Sequence, residues 1–137
     1  MNWTLEVVVV PVSDVSRANA FYSEQLGFRV DHDTQVSPTS RVVQLTPPGS
    51  GCSVVLGNAL QQMAAGSLKG LQLVVSDLRI AHAELTRRGV KVSEVSVIGA
   101  GGRRTAQDGE ALNYVGFIFF SDPDGNAWAV QQIDSRQ

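Results

Sequence analysis

The chain of 137 residues carries 11 Lys and Arg against 13 Asp and Glu, with a formal net charge of −2 and 43% hydrophobic residues. This length predicts one compact domain spanning residues 1–137, and the absence of a polybasic surface excludes a general nucleic-acid binder. The sequence has no signal-peptide pattern and no apolar run long enough to cross a bilayer. Because the single Cys52 cannot form an internal disulfide, we expect a cytoplasmic protein.

An internal repeat organises the chain. The tripeptide Val-Ser-Asp at residues 12–14 recurs 63 residues later at residues 75–77. A repeat of about half the chain predicts two copies of one supersecondary unit. We expect module one over residues 5–57, a linker over 58–69 and module two over 70–133.

The first module predicts a strand followed by a helix and three further strands. Residues 5–12 are apolar and β-branched, as in a buried strand. Ser13 or Asp14 can cap the following helix, and Gly27 ends it. Turn residues then separate three short strands. These strands are predicted over residues 28–32, 41–46 and 52–56.

The second module repeats this order. Asp77 is predicted to cap a helix that ends at Gly89, and residues 122–126 (Asp-Pro-Asp-Gly-Asn) predict the turn of a hairpin. The Gly-rich and charged residues 99–112 predict a mobile surface loop. Strands are predicted over residues 71–75, 91–97, 115–120 and 127–132. Each copy is therefore βαβββ, and the fold class is α+β.

Motifs near both ends of the chain carry a family resemblance. The motifs are Val-Ser-Asp at residues 12–14, Phe-Tyr at 21–22, Leu-Gly-Phe at 26–28 and Ser-Asp-Pro-Asp-Gly-Asn at 121–126. In this order they resemble the vicinal oxygen chelate superfamily, which includes glyoxalase I and the bleomycin-resistance proteins. The resemblance implies two βαβββ modules that form a mixed sheet with outer helices around a small-molecule pocket. It also implies a homodimer.

The resemblance assigns four positions to metal ligands, which are His and Glu in the metal-dependent enzymes of the superfamily. In this sequence those positions hold Val7, Val55, Leu71 and Ala129. Aliphatic side chains have no lone pair to coordinate a cation, and shifting the alignment by one residue in either direction assembles no ligand set. We therefore expect no metal and no cofactor, and a metal-dependent glyoxalase or dioxygenase is disfavoured.

The strand positions that share a face with these residues are mostly apolar as well. Such a lining suits a hydrophobic or aromatic small molecule better than a highly charged one. The leading hypothesis is a metal-free binding protein that sequesters such a compound. The predicted ligand-binding residues are Trp3, Leu5, Val7, Val9, Val55, Leu71, Ala129 and Gln131.

Two alternatives stay open. The first is a metal-independent isomerase, lyase or cyclase that uses a group such as His32, Asp108, Glu110 or Tyr114, so whether the chain is an enzyme is undecided. The second is an interaction module with a vestigial pocket. A packing or solvent-exposed role is the simpler interpretation of His82, and an inert thiol that of Cys52.

Overall fold

The computed structural model describes residues 1–57 and 61–136. The chain divides into two compact units, one of residues 1–68 with 122–126 and one of residues 69–121 with 127–137. Residues 58–60, the first part of the predicted linker, lie outside the described residues. In the described part of the chain, the helices are too short or too polar for any of them to traverse a bilayer.

The first unit contains a four-stranded sheet with the strand order β1-β4-β3-β2. β1 (Val7–Val9) pairs in parallel with β4 (Ser53–Gly57), while β3 (Ser40–Thr46) pairs antiparallel with β4 and with β2 (Arg29–Ser37). The helix α1 (Val15–Ala20) contacts β3 and β4. The valine-rich strands favour extended backbone and supply much of the core. Buried residues of this unit include Val10, Ala18, Tyr22, Val43, Leu45 and Leu56.

The second unit contains a five-stranded sheet with the order β5-β9-β8-β6-β7, in which only β5 and β9 are parallel. Its helix contacts β8 and β9. Buried residues include Leu78, Ile118, Phe120, Trp128 and Val130. In chain order the elements are β5 (Leu71–Val75), α2 (Leu78–Arg87), β6 (Ser96–Gly99), β7 (Gly102–Thr105), β8 (Gly116–Ser121) and β9 (Ala127–Gln132). The predicted α+β class is confirmed, and the βαβββ order is observed in both units with one additional strand, β7, in the second.

Both helices begin in the same way. The Asp14 side chain accepts a hydrogen bond from the Arg17 amide at 3.0 Å, and the Asp77 side chain accepts one from the Ile80 amide at 3.1 Å. Each cap satisfies a backbone donor that has no partner within the helix. Of the two candidate caps of the first helix, Ser13 and Asp14, the structure shows Asp14, and the cap predicted at Asp77 is confirmed. After α1 the chain continues as a π-helical segment, Phe21–Gln25.

The predicted turn at residues 122–126 is confirmed, and it is built around Asp122. One carboxylate oxygen of Asp122 accepts the backbone amides of Asp124, Gly125 and Asn126 at 2.9–3.0 Å. The other accepts the Tyr22 hydroxyl and the Asn126 side-chain amide, each at 2.7 Å. The buried carboxylate thus joins the turn to the core of the first unit.

Three predicted strands differ by several residues from those observed. The strand predicted over residues 28–32 is β2, which extends from Arg29 to Ser37. The strand predicted over residues 5–12 is limited to Val7–Val9. The Val10 amide still donates to the Val55 carbonyl, but the Val12 amide, the next donor on that side of the strand, donates to the Gln61 side chain instead of β4. The strand predicted over residues 91–97 begins only at Ser96.

The predicted mobile loop over residues 99–112 was wrong in its first part. Gly102–Thr105 forms β7 and pairs antiparallel with β6. Gly102, with a φ of 93°, allows the tight turn that connects the two strands. A Gly-rich sequence predicted irregular structure where it supplies a hairpin turn instead.

Candidate functional site

The sheet of the first unit has one face against α1 and one face, which we call the helix-free face, that α1 does not cover. Paired residues on neighbouring strands direct their side chains to the same face. Arg41 identifies the helix side, because its guanidinium donates to the Ser16 hydroxyl of α1 at 2.6 Å. The strand register then assigns Val7, Val9, Val42, Gln44, Thr46, Ser53 and Val55 to the helix-free face.

Three of the predicted ligand-binding residues meet on this face. Val7 pairs with Ser53, and Val9 pairs with Val55. Val55 is buried, and the two valines of β1 are half-buried. Trp3 and Leu5 are 87% and 69% exposed. Because both residues precede β1, the alternation of side chains along that strand does not determine which face they point to.

A cleft of about 300 Å³ borders Val9. Pro11 and the segment 61–63 (Gln-Gln-Met) form its remaining walls. The Gln61 side chain is fixed there, because its carbonyl oxygen accepts the Val12 amide at 2.8 Å. The cleft therefore combines aliphatic walls with a small number of amide groups, as small-molecule sites commonly do.

A chain of polar side chains, which the sequence analysis missed, lies on the same helix-free face. The Thr46 and Ser53 hydroxyl oxygens are 2.6 Å apart, and both residues are buried. Thr46 also donates to the Asp31 carboxylate, whose other oxygen accepts from Arg29 Nε at 3.0 Å. The Thr46 and Arg29 hydrogen bonds hold the pKa of Asp31 below its usual value. A β-bulge between Val30 and His32 brings Asp31 to this face, and a bulge is not visible in residue alternation.

The sheet of the second unit also has a helix-free face. Trp128 and Val130 are buried on the helix side, and Gln132 on that side accepts the Leu78 amide of α2 at 2.9 Å. The residues between them, Ala129 and Gln131, point to the opposite face. The register adds Gln72, Val74, Ser96, Ile98, Arg103, Phe117 and Phe119 to this face.

Leu71 is separated from the predicted residues of its own sheet. It pairs with Trp128, on the helix side, whereas Gln72 pairs with Ala129. A shift of one residue in a strand moves a side chain to the other face. The position beside Ala129 that was assigned to Leu71 is therefore occupied by Gln72.

A chain of amides fixes the polar groups beside Ala129. Gln131 donates through its side-chain amide to the Tyr114 carbonyl at 2.7 Å. Gln131 must then accept through its side-chain oxygen, and Gln72 donates to that oxygen at 2.8 Å. The backbone carbonyl thus determines the orientation of both glutamines.

An aromatic pair with a stacked arginine occupies the rest of this face. The Phe117 and Phe119 rings lie 6.2 Å apart at an angle of 9°, and the Arg103 guanidinium lies 4.2 Å from the Phe119 centroid. Arg103 is exposed, and among the described residues no carboxylate forms an ion pair with it. The arrangement places a cation over the face of one of two nearly parallel rings. The alternation of residues 116–120 could have predicted that the two phenylalanines share a face.

The side chains at the positions that the resemblance assigns to metal ligands do not fit a metal ion. Val7, Val55 and Ala129 are aliphatic, and the Gln72 side chain beside Ala129 is engaged with Gln131. Over residues 1–57 and 61–136, no three His, Cys, Asp or Glu side chains are placed to share an ion. The donor set that divalent cations require is missing from the helix-free faces of the two sheets, as far as the described residues define them.

The alternative catalytic candidates are dispersed. His32 is exposed beside Gln44 at the β2 side of the first sheet. Asp108 and His82 line a surface cleft of about 340 Å³ in the second unit. Glu110 pairs with Arg104, whose hydrogen bonds lower the pKa of Glu110 to about 2, so that Glu110 has no proton to donate near neutral pH.

Comparisons with known proteins identify relatives across nearly the whole chain. The family model described as Glyoxalase/Bleomycin resistance protein/Dioxygenase superfamily matches residues 4–130. TnmS3, an antibiotic binding protein from Streptomyces sp. CB03234, is 32% identical, with a TM-score of 0.74 over 96% of this chain and 97% of that chain. A glyoxalase/bleomycin resistance protein from the same organism is also 32% identical, with a TM-score of 0.70 over 94% and 100% of the two chains. A superfamily member from Sphaerobacter thermophilus DSM 20745 is 29% identical, with a TM-score of 0.72 over 96% and 98%. No curated protein matches the chain.

Proposed function

The chain belongs to the glyoxalase/bleomycin resistance protein/dioxygenase superfamily, and from that premise we propose that it is a metal-independent binding protein for a hydrophobic or aromatic small molecule. One observation carries the proposal. The positions that hold metal ligands in the family's enzymes are occupied by Val7, Val55 and Ala129, on sheet faces that no described helix of the same unit covers.

The surroundings of these residues support an aromatic or otherwise hydrophobic ligand. Val9 borders a cleft with aliphatic walls, and Phe117 and Phe119 present parallel rings on the second sheet. Several of the polar groups on these faces are held by neighbouring groups, as Gln131 is held by the Tyr114 carbonyl. Apolar walls with a few fixed polar groups are typical of sites for drug-sized molecules.

The nature of the ligand is proposed from similarity. TnmS3, 32% identical to this chain, is an antibiotic binding protein. By analogy, this chain sequesters an antibiotic or a related organic compound without transforming it. The similarity to TnmS3 and the aliphatic residues at the assigned metal-ligand positions are independent arguments. Both favour a binding protein over an enzyme.

The proposal also covers the domain organisation, oligomeric state, cofactor requirement and cellular location of the protein. We propose that residues 1–137 form a single domain, that two copies form a homodimer, and that the protein needs no cofactor. We also propose that it acts in the cytoplasm, because its one cysteine, Cys52, is unpaired in the chain.

Titration of the purified protein with naphthalene-based compounds in EDTA tests this function. We expect saturable binding that EDTA does not weaken. Val9→Asp should weaken binding by at least about tenfold, because it places a charge beside the apolar cleft. Val36→Asp introduces the same charge at a residue of β2 that is 60% exposed and is the matched control. Binding that disappears in EDTA, or that both variants change equally, would contradict the proposal.

A further inference from the structure

The polar chain on the first helix-free face has a fixed direction. It begins at Arg29, whose Nε donates to one oxygen of the Asp31 carboxylate at 3.0 Å. The other Asp31 oxygen accepts from Thr46. The carboxylate keeps its charge at neutral pH, because its pKa lies below the usual value. An ionised carboxylate can only accept hydrogen bonds, so the Thr46 hydroxyl must use its single proton toward Asp31.

The direction then extends to Ser53. The Thr46 and Ser53 hydroxyl oxygens are 2.6 Å apart, and geometry alone allows either one to donate. Because the Thr46 proton is already used, Ser53 must donate to Thr46. The Ser53 oxygen therefore keeps only acceptor lone pairs for any further partner. Among the hydrogen bonds of the described residues, its hydroxyl has no partner other than Thr46.

Ser53 stands where a ligand would meet it under the proposed function. It pairs with Val7 and lies two residues from Val55, so it shares their face. Ser53 is 6% exposed, so solvent has little access to its oxygen. A buried acceptor without a donor is costly, and a ligand group that donates to it is correspondingly favoured.

We propose that Ser53 acts as an obligate hydrogen-bond acceptor toward the ligand, so that the compound bound on this face carries a hydroxyl or N–H donor. This inference rests on the proposed function and adds the chemical class of its ligand. It also assigns Asp31 a positioning role, since Asp31 sets the direction of the chain without contacting the ligand. Compounds that offer only ether or carbonyl acceptors are selected against.

A matched pair of probes tests the inference. 2-Naphthol and 2-methoxynaphthalene share one ring system, but only the naphthol can donate a hydrogen bond. The measured quantity is the ratio of their dissociation constants, obtained by calorimetric titration. We expect the preference for naphthol to be about three- to tenfold larger in the wild type than in Ser53→Ala, the usual range for one net hydrogen bond. The Ala variant corrects for the different hydrophobicity of the two probes.

Asp31→Asn tests the direction of the chain while Ser53 stays in place. Arg29 holds one oxygen of residue 31, so in this variant an amide nitrogen replaces the oxygen that accepts from Thr46. Thr46 would then accept from that amide and donate to Ser53. We expect the preference for naphthol to fall to the level of Ser53→Ala. Asp33→Asn is the matched control, because Asp33 pairs with Arg41 on the helix side, and it should keep the wild-type preference.

The outcomes separate the inference from the proposed function. If both probes bind and Ser53→Ala leaves the preference unchanged, the inference is overturned and the proposed function stands. If Asp31→Asn keeps the wild-type preference, or if Asp33→Asn loses it, the proposed direction of the chain is wrong. If neither probe binds, the inference is overturned and the proposed function loses its main support. Circular dichroism melting curves confirm that each variant is folded.

Discussion

Val7 and Ser53 are paired residues on neighbouring parallel strands, and both side chains point away from α1. An aliphatic side chain, at a position that the family resemblance assigns to a metal ligand, therefore lies directly beside a buried hydroxyl group. This part of the face therefore combines an apolar side chain with the hydroxyl group that we propose as a hydrogen-bond acceptor.

Phe119→Ala should weaken the binding of naphthalene-based probes. The substitution removes one of two parallel rings on the second helix-free face. A contact between an aromatic side chain and an aromatic probe contributes about 0.5–1.5 kcal/mol beyond the area that it buries. We expect a loss of affinity of about three- to tenfold in a fluorescence titration. Ile80→Ala removes an exposed side chain of α2 and should leave the affinity unchanged. Equal losses in both variants would indicate that the rings have no specific role.

Arg103→Ala should lower the free energy of unfolding by about 0.5–1 kcal/mol, the usual value for an exposed cation–π contact. The guanidinium lies 4.2 Å from the Phe119 centroid. Urea unfolding of Arg103→Ala, Phe119→Leu and the double variant forms a mutant cycle. A coupling energy near zero would show that the stacked geometry does not stabilise the fold.

Tyr22→Phe should destabilise the first unit by about 1.5–3 kcal/mol, because the Tyr22 hydroxyl donates to the buried, charged Asp122 at 2.7 Å. Urea unfolding measures the change. Ser13→Ala removes an exposed hydrogen bond to Asp124 in the same unit and should have a smaller effect. A Tyr22→Phe effect no larger than that of Ser13→Ala would contradict the importance of the buried network.

Stability should decline in acid as Glu110 is protonated. Its pKa is lowered from 4.5 to about 2, chiefly by the hydrogen bond from Arg104. A depressed carboxyl pKa stabilises the fold above pH 4.5, and this contribution is lost as the pH falls from 4.5 towards 2. Melting temperatures of Glu110→Gln should therefore fall less over this range than those of the wild type. Glu24→Gln, in the exposed part of the π-helical segment, is the control, and an identical decline in all three proteins would refute the assignment.

Much of the fold could be predicted from the sequence because its signals are local. Asp14 and Asp77 occur in matched tripeptides, and each caps a helix as expected. The strands at residues 71–75 and 127–132 were predicted with their observed bounds. A capping residue and an apolar run both act through neighbours in the chain, so one sequence suffices to identify them.

The residues that share the helix-free faces were harder to predict from the sequence, because the composition of each face depends on the register between strands. Leu71 is predicted to share a face with Ala129, but the ladder pairs Gln72 with Ala129 and turns Leu71 to the other face. The bulge next to Asp31 brings that carboxylate to Thr46, which is 15 residues away in the chain. Bulges and register result from pairing between distant strands, and residue alternation within one strand does not reveal them.

Native mass spectrometry of protein purified without added metal tests the central claim, binding without a metal, most directly. The account predicts a dimer with no stoichiometric divalent ion, which forms a complex with an added naphthalene-based probe or retains an organic molecule from the cell. A stoichiometric divalent ion, together with probe binding that disappears when the ion is chelated, would contradict the account.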